Sequence, residues 1–131
     1  MSNKRRVVIT GMGIVSSIGN NVEQVKNSLI NQKSGIVRSD IYKEMDFRSQ
    51  IHGEVKLNLE DHIDKKQLRF MGAGAAYSVL SMEQAIKDSG LTPEEVSNPK
   101  TGLIAGSGGP STANMLQSFD IAREKGPKRV G

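Results

Sequence analysis

A short glycine-rich stretch is the clearest candidate for a binding site in this chain. The apolar residues 103–105 are followed by three glycines within four positions, Gly106, Gly108 and Gly109. An apolar run this short, bounded by glycines, predicts a buried strand, and the glycines allow a turn with positive φ or the close approach of a ligand. The proline and serine at 110–111 then favour the start of a helix. A strand, a turn and a helix in this order are typical of a ligand site at the end of a strand, but also of a turn that binds nothing.

A second glycine motif, near the start of the chain, has the outline of a nucleotide site. Residues 7–10 are mostly β-branched and predict a strand that is buried on both faces. Gly11 and Gly13 follow, and a strand that ends in Gly-x-Gly can begin a dinucleotide-binding motif. Gly19 comes too late for the G-x-G-x-x-G spacing, and the residues between are largely apolar. The match is therefore poor, and saturable binding of a dinucleotide would be needed to support it.

Cations gather on a predicted helix in the middle of the chain. Asp64 can cap this helix, in which Lys65 and Arg69 are four positions apart and share a face, with Lys66 beside them. A second basic segment follows at 125–131. Clustered cations on a helix face can steer and hold an acidic partner, although a solvated charged face has the same pattern.

Composition narrows the class of protein. With 131 residues, of which 36% are hydrophobic, the chain can form one small domain with a core. It contains no cysteine, which excludes disulfides, thiolate metal sites and a cysteine nucleophile within it. The net charge of +4 suggests an acidic partner, while 4% aromatic residues supply few stacking platforms for nucleic acid. Without a membrane-length apolar run or a signal-peptide core, a cytoplasmic location is expected.

The elements that must position these residues are mainly helices. Asn21 and a capping box that begins at Thr92 predict two helix starts, and Gly90 predicts a helix end. Apolar spacing predicts longer helices over 22–31, 71–88 and 112–124. The longest of them is expected to bury one line of side chains, formed by Met71, Ala75, Val79, Met82 and Ile86.

The segments between the helices are predicted to be less regular. Residues 1–6 form a basic start that is expected to fray, and residues 32–48 a polar surface insertion. Residues 51–57 are predicted to be a half-exposed strand or an extended arm. The order strand, helix, insertion, helix, strand, helix is α/β. Two strands are too few for a buried parallel sheet, so the chain is expected to be an incomplete part of a larger fold.

Three stretches, taken together, resemble the β-ketoacyl-acyl-carrier-protein synthases, which are condensing enzymes of fatty-acid synthesis with the thiolase-like fold. They are residues 8–21, residues 69–71 with 80–86, and residues 102–109. The runs at 16–21 and 105–108 look more like synthase I than synthase II. The resemblance covers the whole chain but only the N-terminal third or so of a full enzyme, so residues 1–131 are expected to be an incomplete N-terminal part of the domain.

The resemblance implies a decarboxylating condensation of an acyl thioester with malonyl carrier protein, carried out by a cytoplasmic homodimer without a cofactor, nucleic acid or membrane. The family's cysteine nucleophile and two catalytic histidines lie further along the chain than this sequence reaches. His52 and His62 fall on no catalytic motif of the family and are expected to be ordinary surface or loop residues. No catalytic or metal-binding residue is therefore assigned here, and the chain alone is expected to be inactive.

The resemblance also implies binding positions. Gly109 matches a position where the absence of a side chain leaves room for the acyl chain, and Pro110 departs from the glycine expected in synthase I. Two groups match basic patches that dock the acidic carrier protein, namely Lys65, Lys66 and Arg69, and then Lys125 and Lys128. The alternative hypothesis is a small basic module that binds an acidic protein or nucleic acid. A reading frame that continues past Gly131 to a cysteine and two histidines would favour the enzyme.

Overall fold

The computed structural model describes residues 5–131, so residues 1–4 of the predicted basic start lie outside it. The described residues form six α-helices, two short β-strands and two 3-10 turns. The helices are α1 (Val22–Ile30), α2 (Asp40–Glu44), α3 (Lys65–Leu68), α4 (Ala73–Ser89), α5 (Pro93–Val96) and α6 (Thr112–Lys125). The strands are β1 (Ile36–Arg38) and β2 (Ile51–Gly53), and the 3-10 turns are Leu59–Asp61 and Pro127–Arg129.

The helix ends follow local capping signals, as predicted. Asn21 accepts a hydrogen bond from the backbone amide of Gln24 at 2.8 Å at the start of α1. Thr92 and Glu95 form a complete capping box at the start of α5. Gly90 ends α4 with φ of 70°, a left-handed conformation that glycine adopts at little cost. These predictions were confirmed because each cap is decided within a few residues along the chain.

The longest helix, α4, carries two of the three buried apolar side chains. Ala76 and Leu80 are four positions apart and pack with Ile63, which precedes α3. The predicted buried line is therefore partly wrong, since Ala75 and Met82 are exposed. Val15, Leu57 and Leu59 pack against the cluster that contains Ala76 and Leu80. Helical spacing alone does not reveal which stripe of a helix has such neighbours.

Both strands that the sequence predicts most clearly are missing from the described residues. Residues 7–10 and 103–105 are assigned to no strand and have no backbone hydrogen-bond partner within 5–131. Val7 is 94% exposed and Ile104 is 97% exposed, so the expectation of burial on both faces is also wrong. A strand needs a neighbouring backbone to pair with, and no described segment supplies one at either place.

The region predicted to be an irregular insertion, residues 32–48, contains β1 and α2, and β1 pairs with β2, which lies in the strand predicted after it. β1 and β2 are antiparallel, with Val37 opposite His52, and α2 lies between them in the chain. The rings of Tyr42 and Phe47 have centroids 5.1 Å apart, and those of Tyr42 and His52 are 5.6 Å apart. The predicted strand over 51–57 is thus shorter, and its half-buried residue is His52.

No helix within residues 5–131 is both long enough and apolar enough to cross a bilayer.

Candidate functional site

An apolar groove of about 1990 Å³ is the main concave candidate for a binding site among the described residues. Three elements border it: residues 11–14, the inner side of α1, and the first half of α4. The glycine-rich stretch borders the groove as well, through residues 103–107 and 109–111. The structure therefore brings the glycine turn of the sequence prediction together with the Gly-x-Gly loop, which lies about ninety residues earlier in the chain.

The Gly-x-Gly loop is explained by close packing on α4. A Cβ atom on Gly11 would collide with the carbonyl oxygen of Ala85, and one on Gly13 with the carbonyl oxygen of Ser81. Glycine is required at both positions because only a backbone without a side chain can approach the helix this closely.

Two side chains of α4 accept hydrogen bonds from backbone amides of this loop. The amide of Met12 donates to Asp88 Oδ2 at 2.9 Å, and the amide of Ile14 donates to Gln84 Oε1 at 3.2 Å. A dinucleotide phosphate would need free amides at such a loop. Both of these amides are already satisfied, which argues against the nucleotide hypothesis.

Gln84 holds both ends of the segment that follows the Gly-x-Gly loop. Its Nε2 donates to the carbonyl oxygen of Asn20 at 2.8 Å while its Oε1 accepts from Ile14. Gln24 accepts from the amide of Asn20 at 2.8 Å, and Ser28 Oγ donates to the carbonyl oxygen of Ile18 at 2.6 Å. The spacing of Asn21 and Gln24 resembles a capping box in the sequence, and the Gln24 side chain accepts from the neighbouring amide of Asn20. Sequence reasoning missed Gln84 and Ser28, because a glutamine or serine on a helix gives no sign of a partner many residues away.

The glycine turn itself contains no left-handed residue. Among residues 5–131, the glycines with positive φ are Gly90 and Gly126. Of the two uses that the sequence allows for these glycines, positive φ is therefore not the one that this turn makes. Instead, Ser107 Oγ donates to the carbonyl oxygen of Gly109 at 2.7 Å and closes the turn. A Cβ on Gly109 would meet no atom within 4 Å, so this position faces open space at the edge of the groove.

The three cations predicted on the middle helix are exposed, and two of them have neighbours; Lys65 and Lys66 lie in α3, and Arg69 directly follows it. Lys65 Nζ lies 2.9 Å from Glu60 Oε2, and hydrogen bonding to this carboxylate raises the pKa of Lys65 above its usual value. The Arg69 guanidinium lies 4.7 Å from the centroid of the Phe70 ring, within the range of a cation–π contact. Asp64 caps the helix, as predicted, by accepting from the amide of Lys66 at 2.7 Å.

The second basic group lies on a different element. Lys125 is the last residue of α6, and Lys128 is in the 3-10 turn that follows. A Cβ on Gly72, just before α4, would lie 2.7 Å from the Cβ of Ser111, which caps the start of α6. Because α6 has 14 residues and is about 21 Å long, Lys125 lies a whole helix length from that contact.

A family model and curated relatives both match this chain to beta-ketoacyl synthases. The family model described as beta-ketoacyl synthase, N-terminal domain, matches residues 4–130. The chain is 52% identical over 128 residues to 3-oxoacyl-[acyl-carrier-protein] synthase 1 of Haemophilus influenzae, and 50% identical over 129 residues to that of Escherichia coli. In both cases the match covers 97% of this chain and 32% of the relative. Identity to 3-oxoacyl-[acyl-carrier-protein] synthase 2 of Staphylococcus aureus is lower, at 36%.

The crystal structure of a beta-ketoacyl synthase from Burkholderia phymatum superposes with a TM-score of 0.73 at 26% sequence identity. That match covers 94% of this chain and 31% of the other. The thiolase-like fold expected from the resemblance is thereby confirmed for this part, as is the greater likeness to synthase I. The chain spans about a third of the length of the curated relatives it matches. It belongs to the beta-ketoacyl synthase family, to whose N-terminal domain residues 4–130 correspond.

Proposed function

We propose that the chain supplies the N-terminal part of a 3-oxoacyl-acyl-carrier-protein synthase, an acyltransferase of fatty-acid biosynthesis. Such an enzyme condenses an acyl thioester with malonyl carrier protein, with loss of carbon dioxide. The observation that carries the proposal is the apolar groove that residues 103–107 and 109–111 share with α1 and α4. Identities of 52% and 50% to relatives named for this activity support the same assignment.

In this proposal the chain holds the acyl group and does not attack it. The groove has apolar walls, which suit a hydrocarbon tail, and Gly109 leaves its edge free of a side chain. The chain has no cysteine, and neither His52 nor His62 borders the groove. The groups that form and resolve the acyl intermediate therefore lie outside these residues, and the 131-residue chain alone is expected to show no condensing activity.

The proposed partner is the acyl carrier protein. Carrier proteins are acidic, and exposed cations are available on α3 and at the end of α6. The proposed docking residues are Lys65, Lys66, Arg69, Lys125 and Lys128. A homodimeric assembly, a cytoplasmic location and the absence of a cofactor also belong to the proposal, and they rest on the resemblance to the family.

A chimera tests the function directly. Residues 4–130 would replace the matching segment of the Haemophilus influenzae synthase 1, and condensation of acyl and malonyl carrier protein would be measured. We expect turnover within about tenfold of the parent enzyme, which corresponds to an activation free energy higher by less than about 1.4 kcal/mol. A chimera that folds as the parent does but lacks turnover would overturn the proposal. A small basic module would instead show salt-sensitive binding of acidic partners without any turnover.

A further inference from the structure

We infer that Glu60 competes with an acidic partner for the docking cluster, which consists of Lys65, Lys66 and Arg69. Its carboxylate forms an ion pair with Lys65 until the partner displaces it. The inference rests on the proposed function, because the partner it concerns is the acidic carrier protein. It adds a residue that tunes the affinity of docking and that no part of the family resemblance assigns.

The position of Glu60 is fixed by its own turn. Glu60 lies in the 3-10 turn Leu59–Asp61, and its backbone amide is held by Asn58 at the start of that turn. The amide of Ile63 donates to the carbonyl oxygen of Leu59 at 2.9 Å, and the Ile63 side chain is buried in the core. The turn is thus anchored on both sides, which holds the backbone of Glu60 within side-chain reach of the first residue of α3.

The contact between Glu60 and Lys65 is open to exchange. Glu60 Oε2 lies 2.9 Å from Lys65 Nζ, and the two side chains are 57% and 78% exposed. An ion pair in such contact with water is weak, and a carboxylate from a docking partner can replace one of its members at little cost.

The other carboxylates near α3 are already engaged elsewhere. Asp61 accepts from the Asn58 side chain at 2.9 Å, and Asp64 caps the helix through the amide of Lys66. In the described part of the chain, Glu60 is accordingly the carboxylate that forms an ion pair within the cluster.

Charge balance gives Glu60 a second effect. Residues 59–70 contain three carboxylates and three cations, so the segment carries no net charge at neutral pH. Long-range attraction of an acidic partner by this segment is weak as a result, and docking depends on direct contacts. Replacing Glu60 by a neutral residue both frees Lys65 and makes the segment positive.

The test is the affinity of the intact synthase that contains this chain for purified acyl carrier protein, measured by titration. Glu60→Gln should tighten binding about 1.5- to 5-fold at low salt, with the gain shrinking as salt is raised. Glu54→Gln is the matched control: Glu54 also pairs with a lysine, at 4.0 Å from Lys56, but lies outside the cluster. Equal effects of the two substitutions, or no effect of Glu60→Gln, would overturn the inference.

Two further variants separate this inference from the docking proposal. In a Lys65→Gln background, Glu60→Gln should give a smaller gain than in the parent, because the contact is gone and only the change of local charge remains. Reversal of all three cations of α3 should weaken binding if the docking proposal is right. Weakening by the reversal, with no gain from Glu60→Gln, would overturn the inference alone. A reversal without effect would overturn both.

Discussion

The carboxylate of Asp88 accepts a hydrogen bond from the backbone amide of Met12 at 2.9 Å, across 76 positions of sequence. One turn earlier on α4, Gln84 does the same for the amide of Ile14. Between these bonds, Gly13 rests directly on the backbone of α4. The Gly-x-Gly loop is therefore part of the scaffold that shapes one wall of the groove, and its glycines serve packing.

Gly13→Ala should destabilise the intact synthase. The added methyl group would collide with the carbonyl oxygen of Ser81, so the loop must move away from α4 and strain its two hydrogen bonds. Overpacking of this kind costs about 1–3 kcal/mol, which the midpoint of denaturant unfolding would report.

Gly74→Ala is the matched control for this experiment. Gly74 lies within α4, and a Cβ there meets no atom within 4 Å. Replacing it by alanine should leave stability unchanged or raise it by up to about 1 kcal/mol, because alanine favours the helix. Similar losses for both substitutions would show that close approach is not what selects Gly13.

Local features of this fold could be predicted from the sequence, whereas features that depend on a neighbour could not. Asn21 and Thr92 mark helix starts because a cap is made within three residues. Ala76, by contrast, is buried and Ala75 is exposed, because other segments of the chain pack against Ala76. The predicted strand at 103–105 fails for a related reason, since its pairing partner is absent from the described residues.

The candidate site divides in the same way: its local motifs could be predicted from the sequence, and its contacts between separate elements could not. The glycine turn and the cations of α3 stand out in the sequence because the relevant residues are adjacent. The contact of Glu60 with Lys65 joins a 3-10 turn to a helix, and the contact of Gln84 with Ile14 joins residues 70 positions apart. Neither spacing is a recognisable pattern, so both contacts required the structure.

Gly109→Met should shorten the acyl chains that the intact synthase accepts. Gly109 borders the groove and has open space where a side chain would project, so methionine would fill volume that a long tail needs. The fall in kcat/KM for long acyl chains should correspond to about 1–3 kcal/mol of lost transition-state stabilisation. For short acyl chains kcat/KM should change little.

Gly108→Met is a close control for this series. Gly108 also has no atom within 4 Å of an added Cβ, but it does not border the groove. The Gly108→Met substitution should leave the chain-length profile of the accepted acyl groups unchanged. If Gly109→Met reduced kcat/KM equally for short and long acyl groups, Gly109 would serve only the turn.

Reversing the charges of Lys65, Lys66 and Arg69 together should raise the KM for carrier-protein substrates by about tenfold or more, well beyond any single reversal. The three cations share one short exposed segment, so their weak individual attractions act on the same partner. Small thioesters without the protein should react almost as before, and high salt should reduce the difference.

The control for this variant reverses three exposed cations on the insertion, Lys33, Lys43 and Arg48. It changes the net charge equally but should leave the KM for carrier protein near that of the parent. A loss of activity toward small thioesters in the α3 variant would mean that the cluster serves structure, and the docking assignment would then fail.

The isolated 131-residue chain should associate in solution instead of melting as a stable monomer. Only three apolar side chains are buried among the described residues, while Val7, Ile104 and Phe70 are at least 78% exposed. Such an apolar surface, together with unpaired backbone at 7–10 and 103–105, favours contact with other copies. Sedimentation velocity from micromolar concentrations upward should show species larger than 14.2 kDa, and the thermal transition should be broad. A monomer with a sharp two-state transition would show that these few contacts suffice for an independent fold.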